Sequence, residues 1–132
     1  MHPIGRISSK QDFGRLRRDG IRFHSRLFST SIVFSTHPKK FKPNPNNPSP
    51  LIFSSFTITK KNFKRAVDRN RIKRRLRPLI QNLSQQLLEK QWTAPFMINI
   101  YARPAITEAS YAELTAEFSK LHAMIQQNAE GS

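Results

Sequence analysis

The spacing of hydrophobic residues changes along the chain, and each change predicts a different element. Phe13 and Leu16, spaced i, i+3 after the candidate N-caps Ser8 and Ser9, predict a short helix that ends near Arg18. Farther along, hydrophobic and polar residues alternate, which predicts strands because successive side chains of a strand point to opposite faces. The alternating stretches are FHSRLFSTSIVFS (23–35), LIFSSFTIT (51–59) and PFMINIYA (95–102).

A three-to-four-residue period replaces the alternation from about Phe63 and predicts one long amphipathic helix that reaches about Lys90. Its hydrophobic stripe consists of Ile72, Leu76, Leu79, Ile80, Leu83 and Leu87. Pro78 lies inside this stripe, where a proline removes one helical hydrogen bond and collides with the preceding turn. We therefore expect a kink or a restart of the helix at Pro78.

The remaining segments complete the prediction of the fold. Residues 38–50 hold five prolines and three asparagines, so residues 37–50 are expected to form a long, exposed and flexible loop. Ser110 and Glu113 form a capping box before a last helix, whose end, residues 128–132, should fray. The order of elements predicts one α+β domain over residues 1–132, an α-β sandwich with about four strands in a mixed sheet and three helices.

Charge is distributed unevenly along the chain. The formal net charge is +15, and residues 1–90 hold 21 of the 23 Lys and Arg but only four of the eight acids. The acids Glu108, Glu113, Glu117 and Glu130 lie in the last third instead. This asymmetry indicates one surface for a polyanionic partner rather than a general contribution to solubility.

The densest positive charge lies in KRAVDRNRIKRRLR (64–77), with eight Lys or Arg in fourteen positions. On a helical wheel Asn70, Arg71, Arg74 and Arg77 lie opposite the hydrophobic stripe. A solvated helix face would interleave acids with these cations, and a nuclear-localisation signal would be disordered rather than continuous with an amphipathic helix. Arginine matches phosphate with a bidentate fork. The pattern therefore predicts binding of nucleic acid, and RNA rather than DNA, because the helix lies between strands instead of in a helical DNA-binding module.

Other classes of protein are disfavoured by what the sequence contains. There is no cysteine, and the four histidines are scattered without ligand spacing, so neither a disulfide framework nor a metal site is predicted. No signal peptide or membrane-spanning run is seen, and we expect a soluble, cytoplasmic protein without membrane contact. Catalytic residues are not predicted either, because the basic half offers only isolated carboxylates.

The segment FTITKKNFKRAVDRNRIKRRLR resembles the signature of the bacterial ribonuclease P protein component, a strand and paired lysines followed by an RNR-x-x-KR-x-x-R helix. KQDFGRLRRDGIRFHSRLF resembles the opening helix and first strands of that family, and MINIYARPAITEASYAEL its last strand, turn and final helix. The resemblance implies an α-β sandwich with a left-handed βαβ crossover. It also implies a subunit that assists a catalytic RNA in the Mg²⁺-dependent removal of the 5′ leader from precursor tRNA.

The resemblance further implies two sets of contacts, to the ribonuclease P RNA subunit and to the leader. The residues matched to the RNA-subunit contact are Lys60, Lys61, Lys64, Arg65, Arg69, Asn70, Arg71, Lys73, Arg74 and Arg77. The residues predicted to form the leader cleft are Phe13, Arg17, Arg26, Ser29, Ser31, Thr57 and Thr59. Phe13 can stack on a base, although a plain core contact fits its position equally well. Mg²⁺ is expected to be bound mainly by the RNA.

Two alternatives remain open from the sequence. A structural RNA-binding protein, such as a ribosomal protein, shares the basic balance and the α+β elements. A free-standing nuclease would need grouped carboxylates to hold its metal ions, and the chain does not provide them in sequence. The strand, the paired lysines and the RNR helix favour the ribonuclease P hypothesis over a ribosomal protein.

Overall fold

A mixed sheet separates one helix from two others in this chain. The computed structural model describes the backbone of residues 2–130 and the side chains of residues 2–128. The elements, in chain order, are β1 (Gly5–Arg6), α1 (Lys10–Asp19), β2 (Ile21–His24), β3 (Phe28–Phe34), β4 (Ile52–Thr57), α2 (Ala66–Glu89), β5 (Phe96–Ala102) and α3 (Tyr111–Glu130). A 3₁₀ turn, Pro104–Glu108, connects β5 to α3. These elements confirm the α+β class.

The strands are arranged in the order β1-β4-β5-β3-β2. β4 is parallel to both of its neighbours, whereas β3 is antiparallel to β5 and to β2. Alternate residues of β5 face opposite layers: Phe96 and Ile98 pack with Leu76 of α2, whereas Met97 packs with Leu16 of α1. The core between the sheet and α2 and α3 is therefore separate from a smaller cluster beneath α1.

β4, α2 and β5 form a βαβ unit with a left-handed crossover. The N–H of Phe96 donates to the carbonyl oxygen of Leu51, just before β4 (3.0 Å), and the side chain of Phe96 points into the core beneath α2. An L-residue of a strand, viewed with the chain running upward and its side chain toward the viewer, directs its N–H to the right. Seen from α2, β4 therefore lies to the right of β5, and the chain crosses to the left. Most parallel βαβ units cross to the right. The left-handed crossover implied by the resemblance is therefore unusual, and the structure confirms it.

The helix boundaries follow the predicted caps. The hydroxyl of Ser9 accepts a hydrogen bond from the N–H of Asp12 (3.1 Å), as expected for the N-cap of α1. Ser110 and Glu113 exchange the two hydrogen bonds of a capping box at 3.2 and 3.1 Å. α2 runs through Pro78 without interruption, so the alternative of a restarted helix is wrong. The ring of Pro78 is exposed on the side of α2 away from the core, where it disturbs no packing.

The sheet has five strands instead of about four, for two reasons. The alternating stretch 23–35 folds back on itself, because the N–H of Ser25 bonds to the carbonyl of Phe28 (2.9 Å) and closes a hairpin. Alternation continues on both sides of such a turn and does not reveal the reversal. β1 is only two residues long, which is too short to give a periodic signal.

The segment between β3 and β4 contains neither helix nor strand, as predicted from its prolines. It is nevertheless attached to α1. The backbone N–H of Lys39 donates to both carboxylate oxygens of Asp12 (3.3 Å each), and the ring of Phe41 packs edge-on against Phe53 (4.9 Å between centroids). The flexibility of residues 37–50 stays a prediction. At the other end, α3 is helical to Glu130, and residues 131–132 of the predicted frayed tail lie outside the described residues.

Candidate nucleic-acid interface

The amino-terminal half of α2 presents a face of exposed polar and basic side chains. Burial of Ile72 and Leu76 against the sheet fixes the rotation of the helix about its axis. The opposite face therefore points to solvent, and it carries the exposed residues Asn70, Arg71, Arg74 and Arg77. Four predicted residues of the preceding segment are also exposed: Lys60, Lys61, Lys64 and Arg65. The structure thus exposes eight of the ten predicted RNA-subunit contacts.

Arg69 is oriented differently from the other residues of the signature. Its guanidinium donates to the carbonyl oxygens of Phe63 (2.8 Å) and Lys64 (3.1 Å) and is only half-exposed. These bonds fold the loop before α2 back onto the first turns of the helix. Arg69 therefore fixes the positions of the exposed Lys64 and Arg65, in addition to any contact that Arg69 makes with a partner.

Arg75 was not among the predicted site residues, and its role in the structure is architectural. Its guanidinium donates to the carbonyl oxygens of Ile106 (3.1 Å) and Ala109 (2.6 Å), which connects α2 to the turn before α3. A helical wheel places Arg75 beside Leu79, on the hydrophobic side. This position on the wheel could have indicated, from the sequence, that Arg75 faces the protein rather than a ligand.

The face of the sheet that carries α1 is only partly covered and is polar where it is open. The carbonyl oxygen of the Asn99 side chain accepts hydrogen bonds from the hydroxyls of Ser55 (2.8 Å) and Thr57 (3.1 Å). Next to them, the amide of Asn62 donates to the phenol oxygen of Tyr101 (3.3 Å). Of these residues only Thr57 was predicted. Asn99 and Tyr101 could have been found from the sequence, because they lie on the polar side of the alternating pattern of β5.

Four predicted cleft residues lie on this side of the sheet in accessible positions. Ser29 lies opposite Tyr101 in the β3–β5 ladder, and Thr57 lies opposite the same residue in the β4–β5 ladder. Phe13 of α1 is half-buried against the small hydrophobic cluster and leaves part of its ring accessible. Arg17 is exposed in the last turn of α1. These four residues therefore lie on the α1 side of the sheet, where the leader cleft was predicted.

The other three predicted cleft residues have different surroundings. Ser31 is buried beneath α1, where its hydroxyl donates to the carbonyl oxygen of Leu16. Thr59 lies beyond the end of β4 and its hydroxyl accepts from the N–H of Asn62 (3.2 Å) in a turn. Arg26 forms an ion pair with Glu113 at the start of α3 (2.8 Å), on the far side of the sheet. The structure does not bring these side chains into the cleft.

A cavity of about 560 Å³ joins the two predicted surfaces at the edge of the sheet. Phe13 of α1 and Lys73 and Arg77 of α2 contribute to its lining, together with Arg6 of β1. Sequence patterns gave no indication of Arg6, because its strand is so short. The amide of Gln81 on α2 donates to the carbonyl oxygen of His2 (2.7 Å) and holds the segment before β1 at this edge.

Two further properties of the described residues bear on the chemistry. No group of three or more His, Asp or Glu side chains in residues 2–128 is arranged to hold a metal ion. None of the helices in the described part of the chain is long and apolar enough to cross a membrane. The surfaces described above can bind phosphate and bases, and they contain no cluster of carboxylates for hydrolysis.

Comparisons with known proteins agree with this arrangement. The Ribonuclease P family model matches residues 1–126. The ribonuclease P protein component of Rickettsia canadensis is 31% identical over 119 residues, covering 89% of this chain and 94% of that protein. That of Micrococcus luteus is 33% identical over 113 residues, covering 85% of this chain and 80% of that protein.

Solved structures show the same fold. The RNase P protein of Staphylococcus aureus superposes with a TM-score of 0.63 at 19% identity, covering 91% of this chain and 94% of that one. The RNase P protein of Thermotoga maritima gives a TM-score of 0.64 at 15% identity, covering 88% and 93%. Since the family model spans almost the whole sequence and the sequence relatives are matched over most of their length, the chain belongs to the Ribonuclease P protein family.

Proposed function

We propose that this ribonuclease P protein binds its catalytic RNA through the amino-terminal half of α2 and binds the 5′ leader of precursor tRNA in the cleft between α1 and the sheet. The observation that carries the proposal is the cavity in which Lys73 and Arg77 of α2 meet Phe13 of α1. An RNA held on α2 and a single strand held on the sheet would therefore lie next to each other.

The α2 contact is electrostatic and geometric. Arg71, Arg74 and Arg77 are exposed on successive turns of a helix whose other face is buried, so their positions are fixed while their guanidinium groups stay available. Arginine binds phosphate through two parallel hydrogen bonds, and a rigid row of such groups matches a folded RNA backbone. Lys60 and Lys61, in the turn after β4, add exposed positive charge just before α2.

The cleft is suited to a single strand rather than a duplex. Small hydroxyl side chains on β4 leave room above the sheet, and the Asn99 network fixes Ser55 and Thr57 as polar partners for bases or sugars. The accessible part of Phe13 offers a ring on which a base can stack, an interaction of about 1–3 kcal/mol per base in other single-strand binding proteins. Arg17 supplies positive charge at the end of α1.

In this proposal the catalytic RNA performs the cleavage, and no residue of the protein is assigned to catalysis. The described residues do not fit a protein-held Mg²⁺ site, because their carboxylates and imidazoles are not grouped. The Mg²⁺ implied by the family is therefore assigned mainly to the RNA. The protein contributes by holding RNA phosphates and the leader, within the bacterial cytoplasm. The family membership does not favour a ribosomal protein.

Reconstitution with the ribonuclease P RNA of the same organism tests this proposal. We expect the protein to increase the rate of leader removal at low Mg²⁺, because positive charge on the protein replaces part of the counterion requirement of the RNA. Protein alone should leave the precursor tRNA intact. Absence of stimulation by a folded protein at any Mg²⁺ concentration would contradict the proposal.

The cleft is tested separately by Phe13→Ala, with Tyr111→Ala as a control that removes an exposed ring from α3, away from the cleft. We expect the affinity for precursor tRNA to fall about tenfold or more for Phe13→Ala if one stacked base is lost. Affinity for the RNA subunit should not change. Equal affinity of both variants for precursor tRNA would remove Phe13 from the leader contact.

A further inference from the structure

A second groove lies beside the proposed leader cleft and continues from it. This groove, of about 260 Å³, runs between the start of α1 and the segment 38–50, and Lys40 and Phe41 contribute to its lining. Gly5 and Arg6 of β1 line both this groove and the larger cavity that contains Phe13. The exposed side chain of Arg6 therefore stands at the point where the two join.

Contacts at both ends hold the segment 38–50 in place beside this groove. At its start the backbone N–H of Lys39 is bonded to the buried carboxylate of Asp12, and Phe41 packs against Phe53. At its end the carbonyl oxygen of Ser49 pairs with the imidazole of His2 (2.7 Å). An attached segment loses less conformational entropy when it binds a ligand than a free one does.

The groove is positively charged. Arg6 and Lys40 are exposed in its lining, and Lys42 is exposed in an adjoining pocket that shares Phe41 and Pro50 with the groove. Asp12 also lines the groove, but it is buried and accepts hydrogen bonds from Ser9 and from the backbone of Lys39. Asp12 and Asp19 are the only acids among residues 1–62. With so little negative charge in this region, the groove attracts an anionic chain.

We propose that the segment 38–50 extends the leader-binding surface, so that Arg6, Lys40 and Lys42 bind phosphates of leader nucleotides beyond those in the cleft. The proposal rests on the proposed function, because it takes the leader as the strand that occupies the cleft. The leader is favoured over the RNA subunit by position. The lining of the groove includes residues of α1 and of the segment 38–50 but none of α2, and the exposed Arg71 and Arg74 of α2 line neither the groove nor the cavity next to it.

The test compares Lys40→Ala/Lys42→Ala with Lys90→Ala/Lys120→Ala, which removes the same charge from exposed positions at the end of α2 and on α3. Neither pair takes part in the core, and the backbone bond of Lys39 is kept in both. Affinity is measured for precursor tRNAs with leaders of about 5 and about 15 nucleotides, lengths that span the usual sizes of single-strand sites. The holoenzyme is used throughout.

We expect the Lys40/Lys42 variant to bind the long-leader substrate about 5- to 10-fold more weakly at physiological salt, as for the loss of about two single-strand phosphate contacts. Its affinity for the short-leader substrate and for the RNA subunit should equal that of the wild type. An equal loss with both leaders, or weaker binding to the RNA subunit alone, would overturn the assignment to the leader. No loss with the long leader would overturn the groove as a site.

These outcomes are distinguishable from failure of the proposed function. If the proposed function is wrong, the wild-type protein itself will not improve binding or cleavage of either substrate. If only the groove is wrong, the wild type will stimulate both, and Phe13→Ala will still weaken binding. Phe41→Ala keeps all the charges but removes the packing on Phe53, and we expect it to give a smaller, long-leader-specific loss. The same loss with the short leader would count against the groove.

Discussion

At the scale of single residues, the arginines of α2 fall into two groups with different roles. Arg69 and Arg75 donate to backbone carbonyl oxygens and hold other segments against the helix. Arg71 and Arg74 are exposed and available to a partner. Residues that look equivalent in a basic run should therefore respond to substitution in different ways.

Arg71→Ala/Arg74→Ala should weaken binding to the catalytic RNA without changing the fold. Each lost phosphate contact lowers the slope of log affinity against log salt by about one, so we expect a decrease of about two for the pair. Filter binding over a salt series measures the slope, and thermal unfolding checks the fold. Lys90→Ala/Lys120→Ala is the matched control. A slope equal to that of the wild type would mean that these arginines do not touch the RNA.

Arg75→Ala should destabilise the protein and leave the exposed face of α2, the proposed RNA-binding face, intact. The substitution leaves the carbonyl oxygens of Ile106 and Ala109 without their charged donor, a loss of about 2 kcal/mol in the free energy of unfolding. Urea unfolding measures the change. Arg77→Ala, an exposed substitution in the same helix, should change stability by less than about 0.5 kcal/mol. If the two variants unfold alike, the contacts of Arg75 contribute nothing to stability.

At the scale of elements, caps and local hydrogen bonds decide where helices start. The capping box of α3 holds Glu113 as a carboxylate: the backbone N–H and hydroxyl of Ser110, followed by Arg26, lower the pKa of Glu113 below its ordinary value of 4.5. The unfolded chain then takes up a proton before the folded one as the pH falls. The stabilisation by this carboxylate is therefore complete above 4.5 and is lost as the pH falls through the lowered pKa.

Glu113→Gln tests this pH dependence, because glutamine can still accept the hydrogen bond from Ser110 but carries no charge. We expect the wild type to be more stable than the variant near neutral pH and the difference to disappear in acid. Urea unfolding of both proteins over a pH series gives the difference directly. A difference that stays constant into the acid range would show that the charge of Glu113 has no part in stability.

The elements also show which parts of the fold could be predicted from the sequence. Helix caps and the three-to-four-residue period gave α1 to within one residue, because both signals are local. The predicted start of α2 was three residues too early, and α3 continues to Glu130, into the segment that was predicted to fray. The hairpin at Ser25 and the two-residue β1 were missed, since a reversal and a short edge strand depend on pairing with distant residues. For the same reason, the sequence placed Ser31 in the cleft although α1 covers it, and it missed Arg6 and Asn99.

At the scale of the whole molecule, charge is separated between two regions. Residues 1–77, from the start of the chain to the first half of α2, hold 20 of the 23 Lys and Arg, whereas α3 carries three of the eight acids, Glu113, Glu117 and Glu130. The cations that lie apart from these acids form the positive side of the protein, and the family membership implies an RNA partner. Arg26 and Glu113 connect the two regions by an ion pair.

The separation of charge predicts a steep salt response for the assembled particle. If the positive side neutralises about six to ten phosphates, the affinity for RNA should fall roughly 10³- to 10⁵-fold between about 50 and about 200 mM monovalent salt. Titration of labelled RNA subunit with protein at each salt concentration measures this. A nearly flat response would show that contacts other than phosphates dominate.

The strand order affects how the protein folds during its synthesis on the ribosome. Among the strands of the described residues 2–130, β5 alone joins the pair β1-β4 to the hairpin β2-β3, and it comes last in sequence. The two halves of the sheet therefore have no common strand until residue 102 has left the exit tunnel. Translation adds about 5–20 residues per second, so the nascent polycation spends several seconds without its sheet in a compartment crowded with ribosomal and messenger RNA. We expect early binding to a chaperone or to its own RNA to protect the nascent chain during that interval.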